Sequence, residues 1–412
     1  MTHDRLLTYI TYIPAGKETT LTGKQNDLRR FWAALLLGMA AGFAARYYFE
    51  TRTRSEGRVA IGLIDWEQAR QTALRLSQWE QAPIDNRSFR REQYARMVTL
   101  SEPLIAEYLG VQLPEPVSRI FVFDRREWLE ANIVSFSQLF RPIEEMYEKN
   151  GGGRGALGML MNDVSSKLLG MQIGGLLGYL AQRVLGQYDL SLLSAEATGG
   201  SLYFVEPNIA RVQQQLGLSD AEFRLWITLH EMTHAFEFEA YPWVRCYFRE
   251  LIDQNFALIS SQMLSSGNNL FDMLVRLLQG IGSGQHWIET VLTPEQRAVF
   301  DRIQALMSLI EGYGNHVMNA VGRRLLPSFS QIEQRVAQRQ KQRTMLDLMI
   351  FRLTGLDLKL AQYQQGEAFV NAVVAARGIQ FASRVWERPE NLPTMDEIRD
   401  PAQWIRRMDR QQ

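Results

Sequence analysis

Ser219-Asp220-Ala221-Glu222-Phe223-Arg224-Leu225-Trp226-Ile227-Thr228-Leu229-His230-Glu231-Met232-Thr233-His234 is the stretch on which the reading of this chain turns. Ser219 and Glu222 have the spacing of a capping box, in which a cap hydroxyl and a carboxylate three residues on satisfy the free amides of a helix start. The apolar run Phe223-Arg224-Leu225-Trp226-Ile227 follows at once, so a helix is predicted through the histidines. In that helix His230 and His234 lie four residues apart, which brings both imidazoles to one face, one turn from each other. Two imidazoles so placed can hold a single metal ion. Glu231 is turned about 100° around the axis, beside such an ion rather than on it. There its carboxylate can take a proton from a bound water. The five-residue pattern also arises by chance on amphipathic helices. Here Thr228-Leu229 and Ala235-Phe236 flank it without charge, which buries the histidines, and buried imidazoles need partners. Zinc (Zn2+) is the expected ion, because imidazole and carboxylate ligands around an open tetrahedral position suit it.

A zinc that acts on a substrate needs a third protein ligand and a free position. An extended three-histidine pattern would require Gly at position 237 and His at position 240, where the chain has Glu237 and Ala240. Glu237 shares the face of His230 and His234 but sits a further turn along, more a charge behind the ligands or on the surface than a ligand. Downstream, Thr293-Pro294-Glu295-Gln296 combines a capping Thr, Pro at the first helical position and Gln at the third. The helix it opens is predicted to run past Glu311, which lines up at helical spacing with Met307, Gly314 and Met318. A carboxylate in such a stripe is expensive to bury unless it meets a cation, so Glu311 is the expected third ligand. His316 points roughly 140° away from Glu311 and is not expected on the same ion. It is a candidate catalytic residue that stabilises a developing oxyanion, the alternative being a hydrogen-bonded core histidine.

Around this centre the chain of 412 residues is 46% hydrophobic, ample for a sizeable core. Forty-five basic residues balance forty-five acidic ones, so the excess positive field on which nucleic-acid binding draws is lacking. The single cysteine, Cys246, excludes an intrachain disulfide, and only five histidines are available as ligands. Residues 1–60 form a polar N-terminal segment around Phe31 to Phe49, a candidate membrane anchor whose alternative is a long helix packed on the body. The expected location is accordingly cytoplasmic or membrane-anchored.

Residues 61–412 are read as one domain. Helical periodicity marks Trp66 to Trp79, Phe89 to Leu109 and Trp128 to Tyr147, and β-type runs occur at Arg119 to Phe123 and Ser201 to Val205. Gly151 to Gly155 lacks the Gly-Lys-Ser/Thr of a phosphate loop and reads as a connection. Leu168 to Leu185 carries Gly170, Gly174 and Gly178 at the spacing of closely packed helices, interrupted by Lys167, Gln172, Gln182 and Arg183, and is predicted to be a buried soluble helix. The fold class expected is mainly α (α+β), a helical body with a small β-sheet beside the histidine helix. Ser201 to Val205, about 25 residues before the histidines, is either a strand holding an extended peptide by β-augmentation or an ordinary core strand.

The sequence also resembles a bacterial family of zincin-like hydrolases found notably in actinobacteria and green non-sulfur bacteria, over roughly Ile64 to Met408. The likeness rests on Val184-Leu185-Gly186-Gln187-Tyr188-Asp189, Phe204-Val205-Glu206-Pro207-Asn208, the histidine helix, and Glu311-Gly312-Tyr313-Gly314-Asn315-His316-Val317-Met318. Gly355 to Tyr363 and Pro389 to Thr394 extend it. The resemblance implies a zincin-like, metal-dependent hydrolase, with a Glu-Gly-aromatic helix supplying the third ligand. It implies no substrate. The function expected is a zinc metallopeptidase acting on a peptide or protein. A metal-stabilised scaffold and an amidohydrolase of non-peptide substrates are the alternatives.

Overall fold

The computed structural model describes residues 62–81, 83–149, 156–188, 200–266, 293–341 and 356–411, all within the unit Ile61–Gln412. The candidate anchor at Phe31 to Phe49 and the glycine turn at Gly151 to Gly155 lie outside the described residues. Among the described residues no helix is long and apolar enough to cross a membrane.

The elements follow the periodicities of the sequence. Helix α1 spans Trp66–Ser77, α2 Arg87–Leu109, strand β1 Arg119–Phe123, α3 Arg125–Lys149 and α4 Ala156–Ala181. Then come β2 at Gly186–Tyr188, β3 at Ser201–Val205, α5 at Glu206–Leu216, α6 at Asp220–Glu239 and α7 at Trp243–Ser266. The C-terminal part holds α8 (Pro294–Leu325), α9 (Phe329–Lys341), α10 (Leu356–Arg377) and the short α11 (Ile379–Ala382), α12 (Met395–Arg399) and α13 (Pro401–Asp409). Both strands expected from the sequence are present with the expected bounds. The third strand, β2, is too short to show a periodicity and was not foreseen.

The sheet has the order β1-β3-β2, with β1 parallel and β2 antiparallel to β3. Arg119 pairs with Ser201 and Phe123 with Val205 on one side, and Gly186 with Phe204 and Tyr188 with Leu202 on the other. This corrects one expectation. Ser201 to Val205 is the central strand, its backbone groups engaged on both edges, so no peptide can add to it as a further strand. Leu202, Phe204 and Val205 are fully buried, and Tyr94 of α2 stacks on Phe204 with ring centroids 3.9 Å apart. The alternative reading of the run, an ordinary core strand, is the one the structure supports.

The glycine stripe of α4 lets that helix lie against α1 at backbone contact. A Cβ at Gly170 would sit 2.3 Å from the Asp65 carbonyl oxygen, and one at Gly174 2.2 Å from that of Ala69. The main core runs from α2 through the sheet, α6 and α8 to the C-terminal helices. There Pro389–Asn391 forms a single tight turn packed on the body: Asn391 is fully buried, donates to the Arg384 carbonyl at 2.8 Å, and accepts at its own carbonyl from the Trp404 indole at 2.7 Å.

Candidate metal centre

Helix α6 positions the histidines, and buried charges hold its first turns. Ser219 caps it, its Oγ accepting from the Glu222 amide at 3.4 Å. Glu222 does not reach back to complete a box. Its carboxylate instead accepts from the Ser328 amide at 2.9 Å, tying the start of α6 to the start of α9. Arg224, one member of a run read as apolar, is fully buried and paired with Glu206 and Asp220. Glu206 also meets Arg90 at 3.2 Å and accepts from the Tyr94 hydroxyl at 2.7 Å. The guanidinium and carboxylate charges are thereby compensated out of water, and α2, α5 and α6 are joined where α6 begins.

Two turns along, the imidazoles of His230 and His234 face each other at 80° between ring planes, with centroids 4.6 Å apart. Their Nε2 atoms are 3.2 Å apart. From α8, the Glu311 Oε2 approaches His230 Nε2 to 3.9 Å. One donor atom from each of His230, His234 and Glu311 lies within 4.8 Å of the others. Tetrahedral ligands about 2.1 Å from zinc stand roughly 3.4 Å apart, so small side-chain adjustments bring this trio onto one ion. Helix α8 comes this close because of Gly314: a Cβ there would meet Thr233 Oγ1 at 2.9 Å and His234 Cε1 at 3.2 Å. The capping box predicted at its start is complete, with the Thr293 amide donating to Gln296 and the Gln296 amide to Thr293.

Glu231 is 5% exposed and lies on the outer edge of β2. A Cβ at Gly186 would fall 2.4 Å from its Oε1, and the Tyr188 backbone hydrogen-bonds to it. Burial, with the Glu311 carboxylate adding, pushes its carboxyl up to about 7, against the opposing pull of His234. His230 is driven down to about 3 by burial and by the neighbouring His234, so it is a neutral imidazole with a lone pair to offer. Burial alone would lower His234 too, but the Glu237 carboxylate beside it prevails and raises it to about 9.

Three carboxylates, Glu231, Glu237 and Glu311, thus crowd two imidazoles in a largely buried place. That charge balance and the N,N,O donor set fit a divalent cation of zinc's preferences.

His316 is placed among other partners. Its Nε2 accepts from the Tyr108 hydroxyl of α2 at 2.7 Å, and its Nδ1–H donates to Asn371 Oδ1 of α10 at 2.6 Å. Burial lowers its pKa, which keeps the ring neutral. Both ring nitrogens are engaged, so in this arrangement the ring presents no free N–H to an oxyanion. The reading from the sequence missed β2 as a neighbour of Glu231 and the pairing of Arg224. The only signal for the first was a lone glycine in an otherwise unremarkable Gly-Gln-Tyr.

The model of the zincin-like metallopeptidases matches residues 64–405. The chain belongs to the zincin-like metallopeptidase family. Membership implies a metal, typically zinc, and His230, His234 and Glu311 form a candidate site for it. A solved structure from Chloroflexus aurantiacus, of "a putative hydrolase with a novel fold", is 78% identical. The match covers 84% of this chain and 99% of that one, with a TM-score of 0.65. None of the curated proteins matches. Family and neighbour together support a zinc hydrolase.

Proposed function

We propose that this chain is a zinc-dependent peptidase in which Glu231 is the general base. The observation that carries the reading is the convergence of His230, His234 and Glu311 within 4.8 Å, with the buried Glu231 next to them in the chain. His230 offers an Nε2 lone pair, His234 offers one once a cation displaces its Nε2 proton, and Glu311 offers a carboxylate oxygen, a three-ligand set that leaves a fourth position for water or substrate. Bound zinc would supply Lewis acidity, polarising a substrate carbonyl and acidifying a water. Glu231 takes the proton of the attacking water at its carboxylate and returns it to the leaving amine. Burial raises this carboxyl in the metal-free chain, and a zinc beside it would draw it back toward the ionised form that accepts the water's proton.

Two substitutions in the full chain test this. Glu231→Gln removes the base at constant size, so zinc content should stay near one per chain while cleavage of a peptide library falls by about two to four orders of magnitude. Glu311→Gln removes a charged ligand, so zinc affinity should fall and activity return in part at high zinc. A wild-type chain that takes up zinc yet cleaves neither peptides nor other amides would replace the peptidase with a metal-stabilised scaffold.

A further inference from the structure

The face of α6 that carries the two histidines carries a third ionisable group, Glu237, which the mechanism above does not use. Its Oε2 lies 2.7 Å from His234 Nδ1, and the residue is 1% exposed. The other oxygen, Oε1, is buried with no hydrogen-bond partner. A carboxylate placed this way is costly to keep unless a specific neighbour uses its charge. The neighbour is one nitrogen of one ring. A carboxylate oxygen can only accept, so the proton of that hydrogen bond sits on Nδ1, and the opposite nitrogen, Nε2, is the one whose proton an incoming cation would displace to use its lone pair. Nε2 is the atom that faces His230 Nε2 at 3.2 Å within the ligand trio. Oε2 is bonded on the far side of the ring from that trio, so Glu237 acts through His234 and is no ligand itself.

We propose that Glu237 is the positioning residue of the metal centre: its carboxylate locks His234 in the Nδ1–H form, fixes the ring's rotation and strengthens Nε2 as a donor to zinc. The inference rests on the reading that His230, His234 and Glu311 bind zinc. Three residues separate Glu237 from His234, so the helix itself delivers the carboxylate to the ring without help from another element. Carboxylate partners of metal-bound histidines typically contribute about 10- to 100-fold in affinity.

The test is competition of the full-length protein with a chromophoric chelator for zinc, joined to NMR of the zinc-loaded chain labelled with 15N-histidine. Glu237→Gln keeps an acceptor for Nδ1–H but loses the charge, and should weaken zinc binding about tenfold while the downfield Nδ1 proton of His234 persists. Glu237→Leu loses both, and should weaken binding about 100-fold with that resonance gone. Should the Leu variant fail to fold, the isosteric Gln variant carries the affinity test alone. Wild-type affinity in Glu237→Gln, alongside weakened binding in His230→Ala and Glu311→Gln, would overturn the role of Glu237 and leave the zinc site standing. A wild-type chain that binds no zinc would overturn the site and this role together.

Discussion

Gly186 shows at the scale of one residue how the candidate base is held. Glu231 Oε1 occupies the space that a Cβ at Gly186 would need, at 2.4 Å, and the Tyr188 backbone bonds to the same carboxylate. Tyr188 is itself fixed. Its ring stacks on Phe238 at 5.6 Å, and its hydroxyl donates to Glu239, which also accepts from Arg245 and from the Gly200 amide, each at 3.0 Å. The edge of β2 is therefore a stop against which the carboxylate rests. Gly186→Ala should displace Glu231 without touching a ligand. Peptide cleavage should drop about 100-fold, the size of effect expected for misplacing a catalytic group by about 1 Å, with zinc stoichiometry unchanged. Turnover equal to wild type would show that Glu231 tolerates a different rotamer and that β2 is no stop.

Among elements, the distance between α6 and α8 decides whether the ligands meet. His230 and His234 come from one helix and Glu311 from the other, and Gly314 permits the approach, since a Cβ there would run into Thr233 and His234. Helix pairs spaced by glycine also occur away from the site, at α1 and α4 through Gly170 and Gly174. The two kinds of contact should respond differently. Gly314→Ala should overpack the α6–α8 seam, lowering stability by about 1–3 kcal/mol and weakening zinc affinity as well. Gly174→Ala, with its new Cβ 2.2 Å from the Ala69 carbonyl, should lower stability by at least as much and leave zinc affinity at the wild-type value. Chemical denaturation read beside chelator competition separates the two, and a Gly314→Ala chain that binds zinc normally would remove the seam from the account of the site.

Across the whole molecule, the candidate metal centre lies where α6, α8 and the edge strand β2 come together, so an ion there would bridge segments far apart in sequence. A ligand that binds only the folded chain stabilises it by mass action, by about 4 kcal/mol when free zinc is a thousandfold above its dissociation constant. Stripping the protein with a chelator should accordingly lower its melting temperature, and adding zinc back should restore it. Scanning calorimetry of stripped and reloaded samples checks this. A melting temperature indifferent to zinc would mean that the folded chain has no preference for the ion.

What the sequence determined by itself is what short-range geometry can express. A capping Ser, an apolar run and two histidines four apart place both imidazoles on one helix face whatever surrounds them, because the helical repeat is local. The same logic found the Thr293 box, the bounds of β1 and β3, and Glu311 as an anomalous charge in an apolar stripe. The tertiary structure alone decided the rest. Whether Ser201 to Val205 is an edge or a centre depends on which strands pair with it, and the second partner is a three-residue strand with no period of its own. Arg224 was read as one member of an apolar run, and its buried partner is Glu206 of α5, itself held by Arg90 of α2, besides Asp220 one turn back on its own helix. Glu222 had the spacing of a capping box, yet its carboxylate accepts from Ser328, more than a hundred residues on. His316 could be turned away from Glu311 by helix geometry, but its partners Tyr108 and Asn371 belong to α2 and α10. In each case the deciding contact joins residues distant along the chain, and such contacts are fixed by how faces pack and loops close, which no local pattern records.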